Sequence, residues 1–433
     1  MLIVPVRRDG LWLAPDIDQA AARLAELDLQ HGDRLGVGLP DTPATVALIQ
    51  AAYVAGVVLV PFNRRLDADT IREQAQRARL RQVLTVGDHP LASWPLPTPS
   101  ARPVLSDDQE EHESLILFTS GTTGPAKAAR IPRRAVQHAL SASCARLGLT
   151  ADDVWLGCLP LDHIAGIGNA LRMLACGYRL VQLPRFDAGE VNRCLDDESI
   201  TGLSLVPTQL HRLIAARGRK PWPASLRTIL VGGGPLAADL RQRCVDLGCA
   251  PRQTYGLTEC CAMVTCQTEA GEDCGPALDG LELRLVEEVI AVRGPTVFLG
   301  YEGEAGGPDP DGWFVTGDHG ALDSAGRLTV LGRRTDLIIS GGENIYPAQV
   351  EARLRAIPGV VEVAVVGLPD AEWGQVVAAV VVGDGKPATD QAWLEGLAGL
   401  PGPWRPKRWV WATELPRTAL GKVQRGALRA LFP

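Results

Sequence analysis

The chain contains no apolar run near the roughly 20 residues that a membrane-spanning helix needs. It contains no long basic run either. Its 43 Lys and Arg are mixed with 50 Asp and Glu along the length, for a net charge of −7, which argues against nucleic acid as a partner. The N-terminus, Met1-Leu2-Ile3-Val4-Pro5-Val6-Arg7-Arg8-Asp9, lacks the basic-then-apolar order of a secretory signal. Ten cysteines in 433 residues are too few for a disulfide scaffold. Their densest group, Cys260, Cys261, Cys266 and Cys274, has no zinc-type spacing and no histidine nearby, so buried or idle thiols in a reducing cytoplasm are expected. No internal repeat or long low-complexity tract occurs. What the chain does have is apolar mass: 46% of its residues, enough for a large core and more than one domain.

Strand and helix patterns alternate from the start. Apolar residues recur at helical spacing over 16–31, with Asp16 placed as a cap. Residues 34–39 read as a strand, 42–55 as a helix, and 57–61 and 81–86 as further strands, which predicts parallel sheets covered by helices. The proline-rich stretch 90–103 reads as a loop. Buried strands are expected at 115–118, 153–160, 203–207 and 228–231. From Gly275 the texture becomes short, glycine-punctuated and β-rich, with antiparallel strands expected at 282–286, 289–292 and 327–331. A compositional break at 333–336 precedes a final αβ segment. The expected class is α/β: an N-terminal domain, 1–332, of parallel-type sheets packed with helices plus a small β-rich subdomain, then a small α+β C-terminal domain, 337–433.

The most informative string is Thr119-Ser120-Gly121-Thr122-Thr123-Gly124-Pro125-Ala126-Lys127, directly after the strand at 115–118. Its glycines let the backbone curl until several N–H groups face one concavity, an anion nest to which hydroxyls add donors and Lys127 adds charge. It is not the mononucleotide P-loop, because Lys127 is followed by Ala128-Ala129 rather than Ser or Thr. Pro160-Leu161-Asp162-His163 and Gly232-Gly233-Gly234-Pro235 also follow strands. Ligands in open parallel sheets sit beyond the strands' carboxyl ends, so these three motifs point to one composite site. In Gln253-Thr254-Tyr255-Gly256-Leu257-Thr258-Glu259, Tyr255 offers a flat face to a purine, or simply packs in a turn. Thr258 can donate to a phosphate, and Glu259 can hold Mg²⁺ alongside phosphate oxygens. Asp318, after Thr316-Gly317, can accept both hydrogen bonds of a ribose diol, or can form an Asx-turn. Gly341 and Gly342, in Ser340-Gly341-Gly342-Glu343-Asn344-Ile345-Tyr346-Pro347, let backbone lie against a narrow ligand such as a pantetheine arm, or form a β-turn. Lys422 stands on a glycine-bearing loop, Thr418-Ala419-Leu420-Gly421-Lys422.

In this order, over residues 115–425, these strings resemble the acyl-adenylate-forming superfamily of acyl- and aryl-CoA ligases, peptide-synthetase adenylation domains and luciferases. The family's first loop reads Thr-Ser-Gly-Thr-Thr-Gly-x-Pro-Lys-Gly; here Ala126 replaces the proline, Pro125 precedes it, and Ala128 replaces the last glycine. The resemblance implies an enzyme using ATP, Mg²⁺ and coenzyme A. Thr119 to Thr123 and Lys127 would meet the phosphates, Asp318 and Arg333 the ribose, and Lys422 would serve adenylation. The C-terminal domain would be mobile about a hinge at 333–336, near Thr335, withdrawing the lysine and presenting the glycine loop for the thiol step. Leu159-Pro160-Leu161-Asp162-His163-Ile164-Ala165-Gly166, Ser204-Leu205-Val206-Pro207-Thr208-Gln209-Leu210, Gly232 to Pro235 and Ser340 to Pro347 bring the chain closer to the o-succinylbenzoate–CoA ligases of menaquinone biosynthesis, with Asp162 where an aromatic is usual. On that likeness His163 should lie near the reacting carboxylate. Arg172, nine residues later in an apolar segment, should pair with the second one, unless it snorkels from the surface. Three alternatives stand beside this: another aryl- or acyl-CoA ligase; an amino-acid-adenylating enzyme, whose carboxylate would stand at His163, next to Asp162; and an inactive nucleotide- or acyl-binding relative, which Ala126 and Ala128 permit. No carrier segment follows residue 433, and a homo-oligomer is compatible with the sequence.

Overall fold

The computed structural model describes residues 2–3, 6–8, 11–85, 111–119, 126–383, 390–398, 400–417 and 423–432. Two large sheets organise the first part. One is ordered Leu2–Ile3, Arg179–Gln182, Val154–Gly157, Gly202–Leu205, Thr228–Val231, Pro251–Leu257, Ala262–Cys266. The other is ordered Gln82–Thr85, Arg34–Gly38, Val58–Pro61, Glu113–Thr119, Lys127–Pro132. The interior strands of both are parallel, as their unbroken apolar runs require; Val58–Pro61 is buried at every residue. Each sheet nevertheless ends in an antiparallel pair, Glu113–Thr119 with Lys127–Pro132 and Pro251–Leu257 with Ala262–Cys266. The sequence expectation of parallel sheets missed these edges. The hydroxyl-rich string therefore links two strands of a hairpin, with Thr119 paired to Lys127.

Helix Pro43–Ala55 is buried on almost all sides, which explains its even apolarity. It starts where the Thr42 hydroxyl accepts the Thr45 N–H at 3.3 Å. Helix Ile17–Glu26 is shorter than the expected 16–31, because Asp28 turns to a φ of 51° and breaks the repeat. One apolar core runs between the two sheets, from Leu35 and Val46 to Leu171 and Phe298.

A four-stranded antiparallel sheet follows: Glu282–Val286, Val289–Arg293, Phe314–Leu322, Leu328–Arg333. A single turn of 3₁₀ helix, Arg334–Asp336, leads into the last sheet. That sheet is ordered Glu343–Ile345, Ile338–Ser340, Gly374–Gly383, Val360–Asp370, with Arg408–Ala412 on the free side of Gly374–Gly383. Apolar clusters lie on both of its faces. Among the described residues no helix is long and apolar enough to cross a membrane.

Candidate active site

A cavity of about 740 Å³ opens where the strands of the seven-stranded sheet end. Pro160 and His163, Ser204 and Val206, Gly232 and Gly233, and Gly256 to Thr258 reach it from four of those strands. The strand-end motifs thus meet on one wall, the arrangement that parallel topology favours. Gly234 continues the same turn beside Pro207.

His163 is the N-cap residue of helix Ile164–Cys176. The helix starts hard against the strand exit: a Cβ on Gly166 would stand 2.0 Å from the Pro160 carbonyl oxygen. The preceding turn is tied across the fold by Asp41, whose Oδ1 accepts the Leu161 N–H at 2.7 Å. Burial, with the charge of Asp162 adding to it, raises the Asp41 carboxyl from 3.8 to about 6, against the opposing pull of the Leu161 N–H, Arg65 and Arg64.

Arg172 lies on the same helix and lines the same cavity. The surface alternative does not hold, since the residue is 6% exposed. Its Nε donates to the Gly168 carbonyl at 3.2 Å, its Nη2 donates to Asn169 Oδ1, and its guanidinium carbon sits 5.5 Å from the Trp155 ring centroid. Nη1 is buried without a hydrogen-bond partner among the described residues, and no described carboxylate forms an ion pair with this guanidinium. An uncompensated buried cation is expensive. The backbone and amide contacts hold the fork still, and they leave one donor for something that enters.

The residues expected at the nucleotide meet where Tyr255 of the seven-stranded sheet faces the four-stranded sheet. Asp318 and Arg333 are cross-strand partners, and Arg333 Nε meets Asp318 Oδ1 at 2.7 Å. Tyr255 donates its hydroxyl to Asp318 Oδ2 at 2.8 Å. Asp318 is 5% exposed and directs its carboxylate across strands rather than into the Asx-turn alternative. Burial and the neighbouring Asp318 charge push the Tyr255 phenol well up, so it stays protonated as a donor. The alternative that Tyr255 packs in a turn does not hold, since it lies on strand Pro251–Leu257.

Among the residues expected at the phosphates, Lys127 Nζ lies 3.8 Å from Glu304 Oε2 and 4.9 Å from the Tyr301 ring centroid. The Tyr301 hydroxyl donates to Glu259 Oε1 at 2.8 Å, so one tyrosine bridges the expected phosphate lysine and the expected metal carboxylate. Thr119 Oγ1 donates to the Lys127 carbonyl at 3.4 Å, and Arg77 Nη1 donates to the Ala126 carbonyl at 2.8 Å. Glu259 sits in the 3₁₀ turn Thr258–Cys260 at the tip of a hairpin so tight that a Cβ on Gly256 would lie 1.6 Å from the Ala262 carbonyl oxygen. The described residues hold no cluster of three or more metal-ligating side chains. A lone carboxylate suits Mg²⁺ arriving with phosphate oxygens rather than a resident ion.

Ser120, Gly121, Thr122, Thr123 and Lys422 lie outside the described residues. Gly341 and Gly342 form the tip between Ile338–Ser340 and Glu343–Ile345, where the Gly341 N–H donates to the Trp373 carbonyl at 3.0 Å; this tip packs within the C-terminal part, away from the cavity lining. Sequence reasoning missed Asp41, Arg77 and Tyr301. Asp41 follows strand Arg34–Gly38, so the strand-end rule would have found it. Tyr301 lies in no periodic segment and carried no such signal.

The sequence pattern of the AMP-binding enzyme family matches residues 13–302, and that of the AMP-binding enzyme C-terminal domain matches 349–422. A 2-succinylbenzoate–CoA ligase of Bacillus cereus is 34% identical over 438 residues, covering 94% of this chain and 90% of that protein. The solved o-succinylbenzoate CoA synthetase (MenE) of Bacillus subtilis in complex with the acyl-adenylate intermediate OSB-AMP is similar with a TM-score of 0.86 at 29% identity, over 96% of this chain and 93% of that one. The same synthetase in complex with ATP and magnesium ion gives 0.84 at 27% identity, over 96% and 94%.

Proposed function

The chain belongs to the AMP-binding enzyme family, and on that premise we propose that it is an AMP-forming acid–CoA ligase that converts 2-succinylbenzoate to its CoA thioester, a step of menaquinone biosynthesis. A carboxylate oxygen of the acid attacks the α-phosphorus of ATP, and pyrophosphate leaves. The CoA sulfur then attacks the acyl carbon, and AMP leaves as the thioester forms.

The first step brings two anions together, and its residues are assigned accordingly. Lys127 and the hydroxyls of Thr119 to Thr123 take the phosphates, with Thr258 beside them. Asp318 and Arg333 hold the ribose, and Tyr255 fixes Asp318 from the purine side. Glu259 is the Mg²⁺ carboxylate; the ion supplies charge neutralisation on the phosphate oxygens. His163 stands at the reacting carboxylate. Lys422 provides the mobile ammonium: a charge ~4 Å from its partner contributes roughly 4 kcal/mol at an effective dielectric of about 20. For the second step, Gly341 and Gly342 pass the pantetheine arm after the 337–433 unit turns about 333–336. The last strand of one sheet, ending at Arg333, and the first of the next, starting at Ile338, support that division. The ten free thiols agree with a reducing cytoplasm as its location.

The observation that carries the choice of acid is Arg172, a buried guanidinium on the cavity wall with Nη1 unpartnered among the described residues. A dicarboxylate brings the missing counter-charge on the end that does not react. A second reading, amino-acid adenylation, draws on Asp162, which lines the same cavity with its Oδ1 buried and unpartnered; an ammonium group would suit it. Incubation of the protein with ATP, Mg²⁺, CoA and one acid at a time separates the two. The expected result is AMP and a CoA thioester in equal amounts from 2-succinylbenzoate. AMP formation with an amino acid and none with 2-succinylbenzoate contradicts the assignment.

A further inference from the structure

Two thiols meet behind the cavity wall. Cys144 lies near the end of helix Arg133–Leu147 and Cys176 is the last residue of helix Ile164–Cys176. Their sulfurs stand 2.8 Å apart. Cys144 is buried and Cys176 partly exposed, so a small solute reaches the pair from one side. No other two of the ten thiols hydrogen-bond to each other among the described residues. The Cys176 sulfur also donates to the Arg172 carbonyl at 3.1 Å, which fastens the pair to the helical turn that bears the open guanidinium. Leu140 and Ser143 from one helix and Leu171 and Arg172 from the other line the cavity, so the pair joins two elements of the same wall.

We propose that Cys144 and Cys176 form an oxidative modification site, closed by a peroxide to an intramolecular disulfide that fixes the spacing of the two helices at Arg172. The sulfurs need only a short approach to reach the bond length of about 2.05 Å. The hydrogen-bonded contact with Cys176, with the Arg172 charge adding to it and burial opposing it, holds the Cys144 thiol below its ordinary value, so this sulfur is the readier nucleophile. Its thiolate attacks one peroxide oxygen, the O–O bond breaks, and a sulfenic acid and one water result. The Cys176 sulfur then attacks the sulfenic sulfur and displaces the second water. The balance is two thiols and one hydrogen peroxide to one disulfide and two waters. Intracellular disulfides of this kind are transient and responsive rather than structural. Thiol reductants reopen the bond by exchange.

The chemistry of the site stands apart from the proposed activity; its kinetic consequence rests on the acid occupying this cavity. Substoichiometric to equimolar hydrogen peroxide is added to the full chain, and the cysteines are mapped by non-reducing peptide mass spectrometry. The expected product is a 144–176 cross-link, lighter by two hydrogens, formed before any other cysteine changes and reversed by dithiothreitol. Cys144→Ser and Cys176→Ser each abolish it. In parallel, the oxidised protein shows a severalfold change in KM for 2-succinylbenzoate and none in KM for ATP, and both serine variants lose that response. Peroxide-dependent change at other cysteines with the pair intact overturns the site. A clean cross-link without a shift in the acid's KM overturns its effect on the cavity. An absence of all activity with 2-succinylbenzoate bears on the proposed function alone, since the mapping reads the disulfide without turnover.

Discussion

At the scale of single residues, the site is shaped by where charge is left open and where it is closed. Arg172 has two of its nitrogens occupied by its own helix and the third unpartnered among the described residues. Arg172→Ala is therefore expected to raise KM for 2-succinylbenzoate by ~10-fold or more, because a hydrogen bond to a charged group is worth about 1.5–3 kcal/mol. Steady-state kinetics with benzoate, which lacks the second carboxylate, should show almost no response; an equal response of both acids removes Arg172 from that role. Asp318 is the opposite case, closed on both oxygens by Tyr255 and Arg333. Asp318→Ala is expected to weaken ATP more than the acid, measured as separate KM values, since it removes the proposed acceptor of the ribose and loosens Arg333 together. Both residues stood out in the sequence, Arg172 as a charge among apolar neighbours that needs a partner, Asp318 as a carboxylate directly after Gly317; their burial and pairing could be read only from the fold. Tyr301 was not legible. Its place between Lys127 and Glu259 arises from a bridge to Ala129, a contact between positions far apart in the chain.

At the scale of elements, strands whose apolar runs are unbroken were found in sequence to within a few residues, because burial on both faces leaves its mark on each position. The antiparallel edge at Lys127–Pro132 was missed for the same reason. Lys127–Pro132 mixes Lys, Arg and Ala, and only its pairing with Glu113–Thr119 makes it a strand. The turn 160–163 depends on another distant tie, from Leu161 to Asp41. The Asp41 carboxyl is raised from 3.8 to about 6, chiefly by burial. Between those values the folded protein holds this proton more tightly than the unfolded chain does. The contribution to stability is thus full below 3.8 and lost as pH rises through 6. Asp41→Asn keeps an oxygen for the Leu161 N–H and carries no charge. It should melt above the parent protein when pH is well above 6, and that advantage should shrink as pH falls towards 3.8. Thermal melts across this range that show no convergence would rule out Asp41 as the source.

At the scale of the whole molecule, two units share one set of contacts. Tyr346 and His319 are joined through the tyrosine hydroxyl and Nδ1 at 2.9 Å, across the Arg334–Asp336 turn. Arg425 pairs with Asp336 in that turn at 3.2 Å and with Glu351 beyond it. Arg417 reaches from the C-terminal part to the cavity lining. That a smaller C-terminal domain follows the larger one was legible as a change of texture in the sequence. The contacts between the two were not, because they join residues whose own surroundings are unremarkable. On the proposed mechanism, a lysine carried by the smaller unit serves only one of two orientations. Lys422→Ala is accordingly expected to slow acyl-adenylate formation by orders of magnitude while thioester formation from preformed acyl-adenylate continues nearly intact; equal loss in both half-reactions, followed by single-turnover assays, contradicts that division. The central claim is that this cavity activates a dicarboxylic aryl acid through its adenylate. The most direct test is ATP–pyrophosphate exchange with CoA omitted, across 2-succinylbenzoate, benzoate, simple fatty acids and amino acids. Exchange that is fastest with 2-succinylbenzoate by a wide margin is the predicted result, and exchange driven by an amino acid with 2-succinylbenzoate inert is the result that would contradict it.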